Sequence, residues 1–223
     1  MLRAGFDYSW SEASFALADE KGTVLLEDHI LLPPRNASGL PSWMEACLAK
    51  QNAHFTDITE WSVGIGPGSF TGLRLASSFV MGLTFRHGGV RSRGVSTAAA
   101  LAMSASICAP RVLALFDGRR DELLAFGLRR EDAYYVPDGC HKVIGADSIS
   151  LLDAYDALVC LAKDEAQIRK IAGDANAEKL HCSEHLKASN LISASPGDFS
   201  TTLKDLVYLR PAVFVEPRIP RQL

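Results

Sequence analysis

The pattern of apolar and polar positions predicts alternating strands and helices in the first half of the chain. Short apolar runs separated by polar turns are typical of strands. In Leu40–Gln51, apolar residues instead recur at positions i, i+3, i+4, i+7 and i+8, which is the spacing of one helix face. The predicted elements are strands at Ala4–Phe6, Ala13–Ala18, Val24–Leu32 and Trp61–Ile65, and helices at Leu40–Gln51, Phe70–Phe85 and Ser96–Ser106.

The pattern of the opening strands returns half a chain later. Gly5–Ser9 reads GFDYS and Leu115–Arg119 reads LFDGR, so an apolar strand ends in aspartate before a polar turn in both places. This repetition predicts a duplicated α/β lobe, with residues 1–107 in the first lobe and residues 108–223 in the second. The second lobe is expected to contain strands at Arg111–Phe116, Glu122–Leu128 and Leu158–Ala162, and helices at Ser148–Tyr155 and Glu165–Ala172.

The stretch SVGIGPGSFTGLRLASSFVMGL, Ser62–Leu83, holds five glycines and one proline in an otherwise apolar run. It lacks the lysine and the spacing of a Walker loop, and its glycines do not match the dinucleotide fingerprint. The glycines on either side of Pro67 instead predict a sharp connection from a strand to a helix, with Ser69 or Thr71 capping that helix.

The predicted helix after this turn carries a single charge, Arg74, between Phe70 and Phe85. A helix that is apolar nearly all round is buried on more than one side. The second apolar side predicts contact with another lobe or another subunit, and burial in the chain's own core is an equally open interpretation. The predicted partner-facing residues on this helix and on the preceding one are Trp43, Met44, Cys47, Leu75, Ala76, Phe79 and Val80.

Composition narrows the class of protein. The formal net charge of −3 gives no overall attraction to nucleic acid, and five scattered cysteines predict reduced thiols. The amino-terminal residues lack the apolar segment of a secretion signal, and the longest weakly polar stretch, Ala98–Ala109, is too short to span a bilayer. We therefore expect a cytoplasmic protein without membrane contact.

Residues Gly64–Arg74, GIGPGSFTGLR, resemble the signature of the TsaB (YeaZ) family. The resemblance continues at Gly94–Ala102, in the FDGRRDELLAFGL segment and at Val207–Arg210, so it reaches both halves of the chain. The most specific part is the nine-residue core: Gly66, Pro67, Gly68, Ser69, Phe70, Thr71, Gly72, Leu73 and Arg74.

The resemblance implies a two-lobed fold of the actin/Hsp70/sugar-kinase (ASKHA) class, with ribonuclease H-like lobes. It implies a scaffold subunit without a catalytic centre, which binds the paralogue TsaD and the ATPase TsaE. That complex transfers threonylcarbamoyl to the adenosine next to the anticodon of tRNAs that read codons beginning with A. ATP and a metal ion are expected on the partner subunits rather than on this chain, tRNA is reached through the complex, and the isolated chain is expected to form a homodimer.

Some residues leave other functions open. His181-Cys182-Ser183-Glu184-His185 matches the H-x-x-E-H pattern of inverted zinc peptidases, although the flanking residues favour surface histidines and no metal. Asp117, Arg119 and Arg120 are candidates for phosphate contact. The alternative functions are a metallopeptidase or an ATP-dependent phosphotransferase of the same superfamily. At the turn after Asp7, however, aromatic residues stand where ATP-binding relatives use glycine, which weakens the case for a nucleotide in this chain.

Overall fold

The computed structural model describes residues 1–32, 37–85, 87–118, 121–194 and 199–209. Within these ranges the chain forms two five-stranded sheets and five α-helices, with short 3-10 segments between them. The strands are β1 Leu2–Asp7, β2 Glu12–Ala18, β3 Val24–Leu31, β4 Ile58–Gly64, β5 Arg91–Val95, β6 Arg111–Asp117, β7 Leu123–Glu131, β8 Tyr134–Ile144, β9 Ala157–Leu161 and β10 Leu180–Ser183. The helices are α1 Leu40–Ala49, α2 Phe70–Thr84, α3 Thr97–Ser104, α4 Glu165–Ala172 and α5 Ser189–Ser193.

The two sheets have the same topology. Their strand orders are β3-β2-β1-β4-β5 and β10-β9-β6-β7-β8, which coincide when β1 is matched to β6 and the following strands are matched in chain order. In each sheet the first strand is central, pairs antiparallel with the second strand and parallel with the fourth. Asp7 and Asp117 end the two equivalent strands. The duplication predicted from the two strand-aspartate-turn segments is confirmed.

The elements stack in five layers. Helices α1 and α2 cover the outer face of the first sheet, and α4 packs against the outer face of the second sheet. Between the sheets, α5 packs on β1, β2 and β4, α3 packs on the second sheet, and the two helices contact each other. Strand β6 shows why two covered faces need a continuous apolar run: Val112, Ala114 and Phe116 face the inner layer, whereas Leu113 and Leu115 face the outer one.

Small residues allow the inner layer to pack closely. Helix α3 carries four buried alanines, Ala98, Ala99, Ala100 and Ala102. At Gly5 in β1, a β-carbon would overlap the backbone carbonyl of Ala188, just before α5. The alanine-rich composition of α3 therefore reflects its position between two sheets, where larger side chains would not fit.

The last part of the described chain returns to the first sheet. The Gly94 N–H donates to Thr201 O at 3.0 Å, and the Val207 N–H donates to Ile65 O at 2.8 Å. The Ser77 hydroxyl on α2 also donates to Leu203 O at 2.5 Å. The predicted boundary between residues 107 and 108 lies in the loop between the two sheets, but α5 and residues 199–209 lie with the first sheet.

Three strands, the short helix α5 and one 3-10 segment differ from the elements that the sequence predicts. Strands β5, β8 and β10 were not predicted, and all three lie at sheet edges. β8 contains Pro137 and Gly139, which edge strands tolerate, and β5 reads RSRGV, which has little apolar character. The helix predicted at Ser148–Tyr155 is an irregular 3-10 segment over Ala146–Ala154.

Four of the predicted partner-facing residues lie in the core of the chain itself. Met44, Cys47, Ala76 and Val80 each have 0% of their surface exposed and pack in the cluster under α1 and α2. They have no surface left for a partner, so the interface prediction is corrected at these positions. The two helices are apolar on several sides because they pack in a core cluster that includes large aromatic side chains such as Phe6 and Trp61.

The buried position of Met44 predicts a large loss of stability on truncation. Met44→Ala should lower the free energy of unfolding by about 2–5 kcal/mol, because it removes buried contacts and leaves a cavity. Met81→Ala on α2 is the matched control, since Met81 is 40% exposed and its truncation should cost well under half of that amount. Urea denaturation of the two variants measures the difference, and equal losses would contradict the assignment of Met44 to the core.

Candidate functional site

The glycine turn, Gly64–Gly72, connects β4 to α2 and carries most of the signature. Gly66 has a φ of 109°, a conformation that favours glycine. Ser69 is the N-cap of α2, and its hydroxyl accepts a hydrogen bond from the Gly72 N–H at 3.0 Å. The geometry agrees with the predicted strand-to-helix connection, and of the two predicted capping residues, Ser69 and Thr71, it is Ser69 that caps the helix.

The glycine turn lies directly against the hairpin that follows β1. The Ser69 N–H donates to Ser9 O at 2.6 Å. A β-carbon at Gly68 would lie 2.6 Å from both Cβ and O of Ser9, and one at Gly72 would overlap Tyr8 O. These two glycines are required because two backbone segments touch at this point.

Asp7 lies at the centre of this contact and is almost completely buried. Its Oδ1 accepts a hydrogen bond from the Ser9 N–H at 2.8 Å. Its Oδ2 accepts from the hydroxyls of Ser9 and Thr97, each at 2.8 Å. Thr97, in turn, accepts a hydrogen bond from the Gly66 N–H at 3.1 Å and donates its own N–H to Gly66 O at 2.8 Å. The carboxylate therefore joins the hairpin, the glycine turn and the start of α3.

Burial raises the pKa of Asp7 above its ordinary value of 3.8. The hydrogen bonds from Ser9 and Thr97 oppose this shift, and so does the positive charge of Lys163, but desolvation is the larger effect. Both oxygens of the carboxylate are engaged by neighbouring groups of the chain. In this structure Asp7 is consequently a structural acceptor that stabilises the turn.

The exposed end of the signature contacts the carboxyl-terminal segment. The guanidinium carbon of Arg74 lies 3.6 Å from the centroid of the Phe70 ring, and the Arg74 Nε–H donates to the Tyr208 hydroxyl at 3.3 Å. The Phe70 and Tyr208 rings are 5.0 Å apart. Two segments that carry the sequence resemblance, GPGSFTGLR and the one containing Tyr208, thus meet at the start of α2.

Comparison with protein families identifies the chain. Residues 35–180, more than half of the sequence, match the family of TsaD, tRNA N6-adenosine threonylcarbamoyltransferase. The chain belongs to this family. No curated protein matches the chain by sequence at the required significance.

Solved structures extend the TsaD-family assignment to the fold. An uncharacterized protein from Pseudomonas aeruginosa with similarity to peptidase YEAZ is 24% identical, with a TM-score of 0.75 over 94% of this chain and 99% of that chain. YeaZ from the same organism is 22% identical, with a TM-score of 0.72 over 96% and 99% of the two chains. Component A of (R)-2-hydroxyglutaryl-CoA dehydratase from Acidaminococcus fermentans is 6% identical, with a TM-score of 0.51 over 87% and 96%. The predicted resemblance to YeaZ and the two-lobed ASKHA fold are confirmed.

The remaining predicted partner-facing residues of this TsaD-family chain are half-buried. Phe79 packs edge-on against Phe6 and Phe55, with ring centroids 6.2 and 6.0 Å apart, and Trp43 packs against Phe15 at 6.2 Å. Leu75 packs against the same cluster. The most exposed apolar side chains of this region are instead Phe70, Met81 and Phe85, at 38%, 40% and 70% exposure. Sequence periodicity missed Met81 and Phe85, since it could not tell which side of α2 the sheet covers.

Asp117, from the candidate phosphate contacts, and the peptidase motif belong to the second sheet and the turn after it. Asp117 ends β6 and is half-buried, whereas Arg119 and Arg120 lie outside the described residues. His181 lies in β10 and His185 follows that strand in a turn, so the two histidines do not share a helix face as the peptidase pattern requires. None of the helices in the described part of the chain has the length and apolar character needed to cross a membrane.

The contact between Gly72 and Tyr8 predicts a strong effect of one added methyl group. Gly72→Ala should lower the free energy of unfolding by at least about 1–3 kcal/mol, because the new β-carbon overlaps a backbone carbonyl. Gly82→Ala on the same helix is the matched control. Nothing lies within 4 Å of a β-carbon at Gly82, so this change should raise stability by about 0.5–1 kcal/mol. Thermal or urea denaturation measures the loss of stability in the first variant and the gain in the second. A Gly72→Ala variant as stable as the unsubstituted chain would refute the close contact.

The raised pKa of Asp7 predicts how Asp7→Asn changes stability with pH. A carboxyl group whose pKa is higher in the folded state stabilises the fold most below its ordinary pKa, and that contribution is lost as pH rises through the folded-state pKa. Asparagine does not titrate. The unfolding free energy of Asp7→Asn, relative to the unsubstituted chain, should therefore increase between about pH 4 and about pH 7. Denaturation curves across this range measure the difference, and a constant or falling difference would show that burial does not dominate.

Proposed function

We propose that this chain is a non-catalytic subunit of a tRNA threonylcarbamoylation complex, of the YeaZ (TsaB) kind. Membership of the TsaD family connects the chain with the modification of tRNA adenosine. In the proposed complex a TsaD paralogue carries the metal centre, and a TsaE-like ATPase supplies nucleotide turnover. This chain binds and activates the paralogue in the cytoplasm, and tRNA is held by the assembled complex.

The main support for the non-catalytic assignment is that the glycine turn fills the space next to Asp7. Where an ATP-binding relative of this fold needs room for phosphates beside the first hairpin, the glycine turn contacts Ser9 and Tyr8. Asp7 is buried and engaged by the Ser9 and Thr97 hydroxyls. An ATP-dependent phosphotransferase would need this space and this carboxylate, so the closed contact favours a binding subunit.

The exposed side of α2 is the proposed docking surface, which we define as Phe70, Met81 and Phe85. These three side chains are apolar and exposed, although α2 is part of a compact chain. Exposed aromatic and methionine side chains are enriched at protein interfaces, and Met81 adapts readily to a partner of a different shape. In the isolated chain, the same surface is proposed to pair with a second copy, which accounts for the expected homodimer.

A charge placed on the docking surface tests the proposal. Met81→Asp should abolish co-elution with a TsaD paralogue from the same genome on size-exclusion chromatography, because burial of an unpaired carboxylate in an interface is costly. We expect a loss of affinity of at least about 100-fold, and loss of the threonylcarbamoylation that depends on the complex.

Val143→Asp is the matched control for this experiment. Val143 lies in β8 of the second sheet, is 38% exposed and is apolar, so it matches Met81 in exposure and apolar character but lies on the other sheet. This variant should still co-elute with the paralogue. The proposal fails if Met81→Asp forms the complex as well as the unsubstituted chain, or if both variants lose it equally while circular dichroism shows them folded.

A further inference from the structure

Three potential metal ligands from distant parts of the chain meet at the edge of the contact between the two lobes. Glu12 begins β2, His29 lies in β3, and His185 lies in the turn after β10. One ligand atom from each of them lies within 4.8 Å of the others. The peptidase motif drew attention to His185 in the sequence, but its partners in space are Glu12 and His29 rather than His181.

The distances suit a small tetrahedral site. His185 Nδ1 lies 3.0 Å from Glu12 Oε1, and His29 Nδ1 lies 3.8 Å from the same oxygen. A zinc ion bound at about 2.0–2.1 Å by nitrogen and oxygen separates two of its ligand atoms by about 3.3 Å. The two observed nitrogen–oxygen separations fall on either side of that value, and all three ligand atoms lie within 4.8 Å of one another, so the rings must move to bring the three donors to one ion.

The two imidazole rings are stacked, with centroids 4.4 Å apart and planes inclined by 13°. Ring planes that are nearly parallel must turn towards each other before both nitrogens point at one ion. His185 can make this turn, because 49% of its side chain is exposed. The His29 ring is more enclosed and shares Nδ1 with the Ser14 hydroxyl at 3.1 Å, a hydrogen bond that metal coordination would replace.

The charges around the three residues favour a cation. Glu12, Glu27 and Asp28 all act electrostatically on His29. Two imidazoles beside a carboxylate are a typical ligand set for zinc.

We propose that Glu12, His29 and His185 bind a divalent transition-metal ion of the zinc type, with water completing the tetrahedron. The ion would link the β2–β3 hairpin of the first sheet to the turn that follows β10 of the second sheet. Nearby contacts already join the same segments: the backbone N–H groups of Ala188 and Ser189 donate to Glu27 at 2.7 and 3.1 Å. The bound ion would hold the two lobes together, and its site is separate from the glycine turn.

Metal titration of the full chain tests this site. The purified chain is stripped with a chelator and titrated with Zn²⁺ in a calorimeter, and with Co²⁺ while the visible absorption of tetrahedral cobalt is recorded. We expect one equivalent to bind. His29→Gln and His185→Gln should each weaken binding at least about tenfold, since each removes one of three protein ligands. Zn²⁺ should also raise the thermal midpoint of the unsubstituted chain by mass action, and this increase should be lost in both variants.

His181→Gln is the matched control, because His181 is exposed, lies four residues from His185 and is outside the cluster. It should bind one equivalent of Zn²⁺ as the unsubstituted chain does. His185 is half-exposed, so its replacement leaves the fold intact, which circular dichroism checks. The proposal is overturned if the unsubstituted chain binds no Zn²⁺ saturably. It is equally overturned if His185→Gln retains full binding while Cys182→Ser loses it, which would place the ion at the Cys160–Cys182 pair, where the sulfurs are 3.5 Å apart.

Discussion

The contact between the glycine turn and the hairpin after β1 is the constraint on which the first lobe depends. Two backbone segments approach so closely that Gly68 and Gly72 have no room for a β-carbon. Asp7 is buried in the same contact and orients the hairpin, the turn and the amino-terminal end of α3 through Ser9 and Thr97. A buried carboxylate is costly unless it is well hydrogen-bonded, so each of these groups holds the others in place.

The strand end at this contact has an equivalent in the second lobe. The two lobes repeat one topology, and Asp7 and Asp117 end equivalent strands. At the first of these aspartates the signature residues pack against the hairpin, and the proposed non-catalytic role rests on this contact. The amino-terminal end of α2, with Phe70 and Arg74, lies at the surface, and so do Met81 further along the helix and Phe85 just after it.

Much of the fold followed from local patterns. Apolar runs in β1, β2, β4, β6, β7 and β9 and the helical spacing in α1 and α2 are strong because these elements are central or contact several others. The edge strands β5, β8 and β10 were missed because an edge strand needs less apolar burial and tolerates proline and glycine. Within the site, the signature itself was visible, but Ser9 and Thr97 were not singled out, since a serine and a threonine 88 residues apart carry no local signal.

The sequence by itself determined the repeated strand-aspartate-turn unit, the family signature and the failure of the glycine turn to match a phosphate loop. These features rest on residues close together in the chain. Only the tertiary structure decided which apolar residues of α1 and α2 remain exposed, because the helix faces look alike until the sheet is placed under them. It also decided that Gly72 is required by Tyr8 and that Glu12, His29 and His185 meet. Such contacts join residues from distant segments, and their positions follow from how the two sheets pack around α3 and α5.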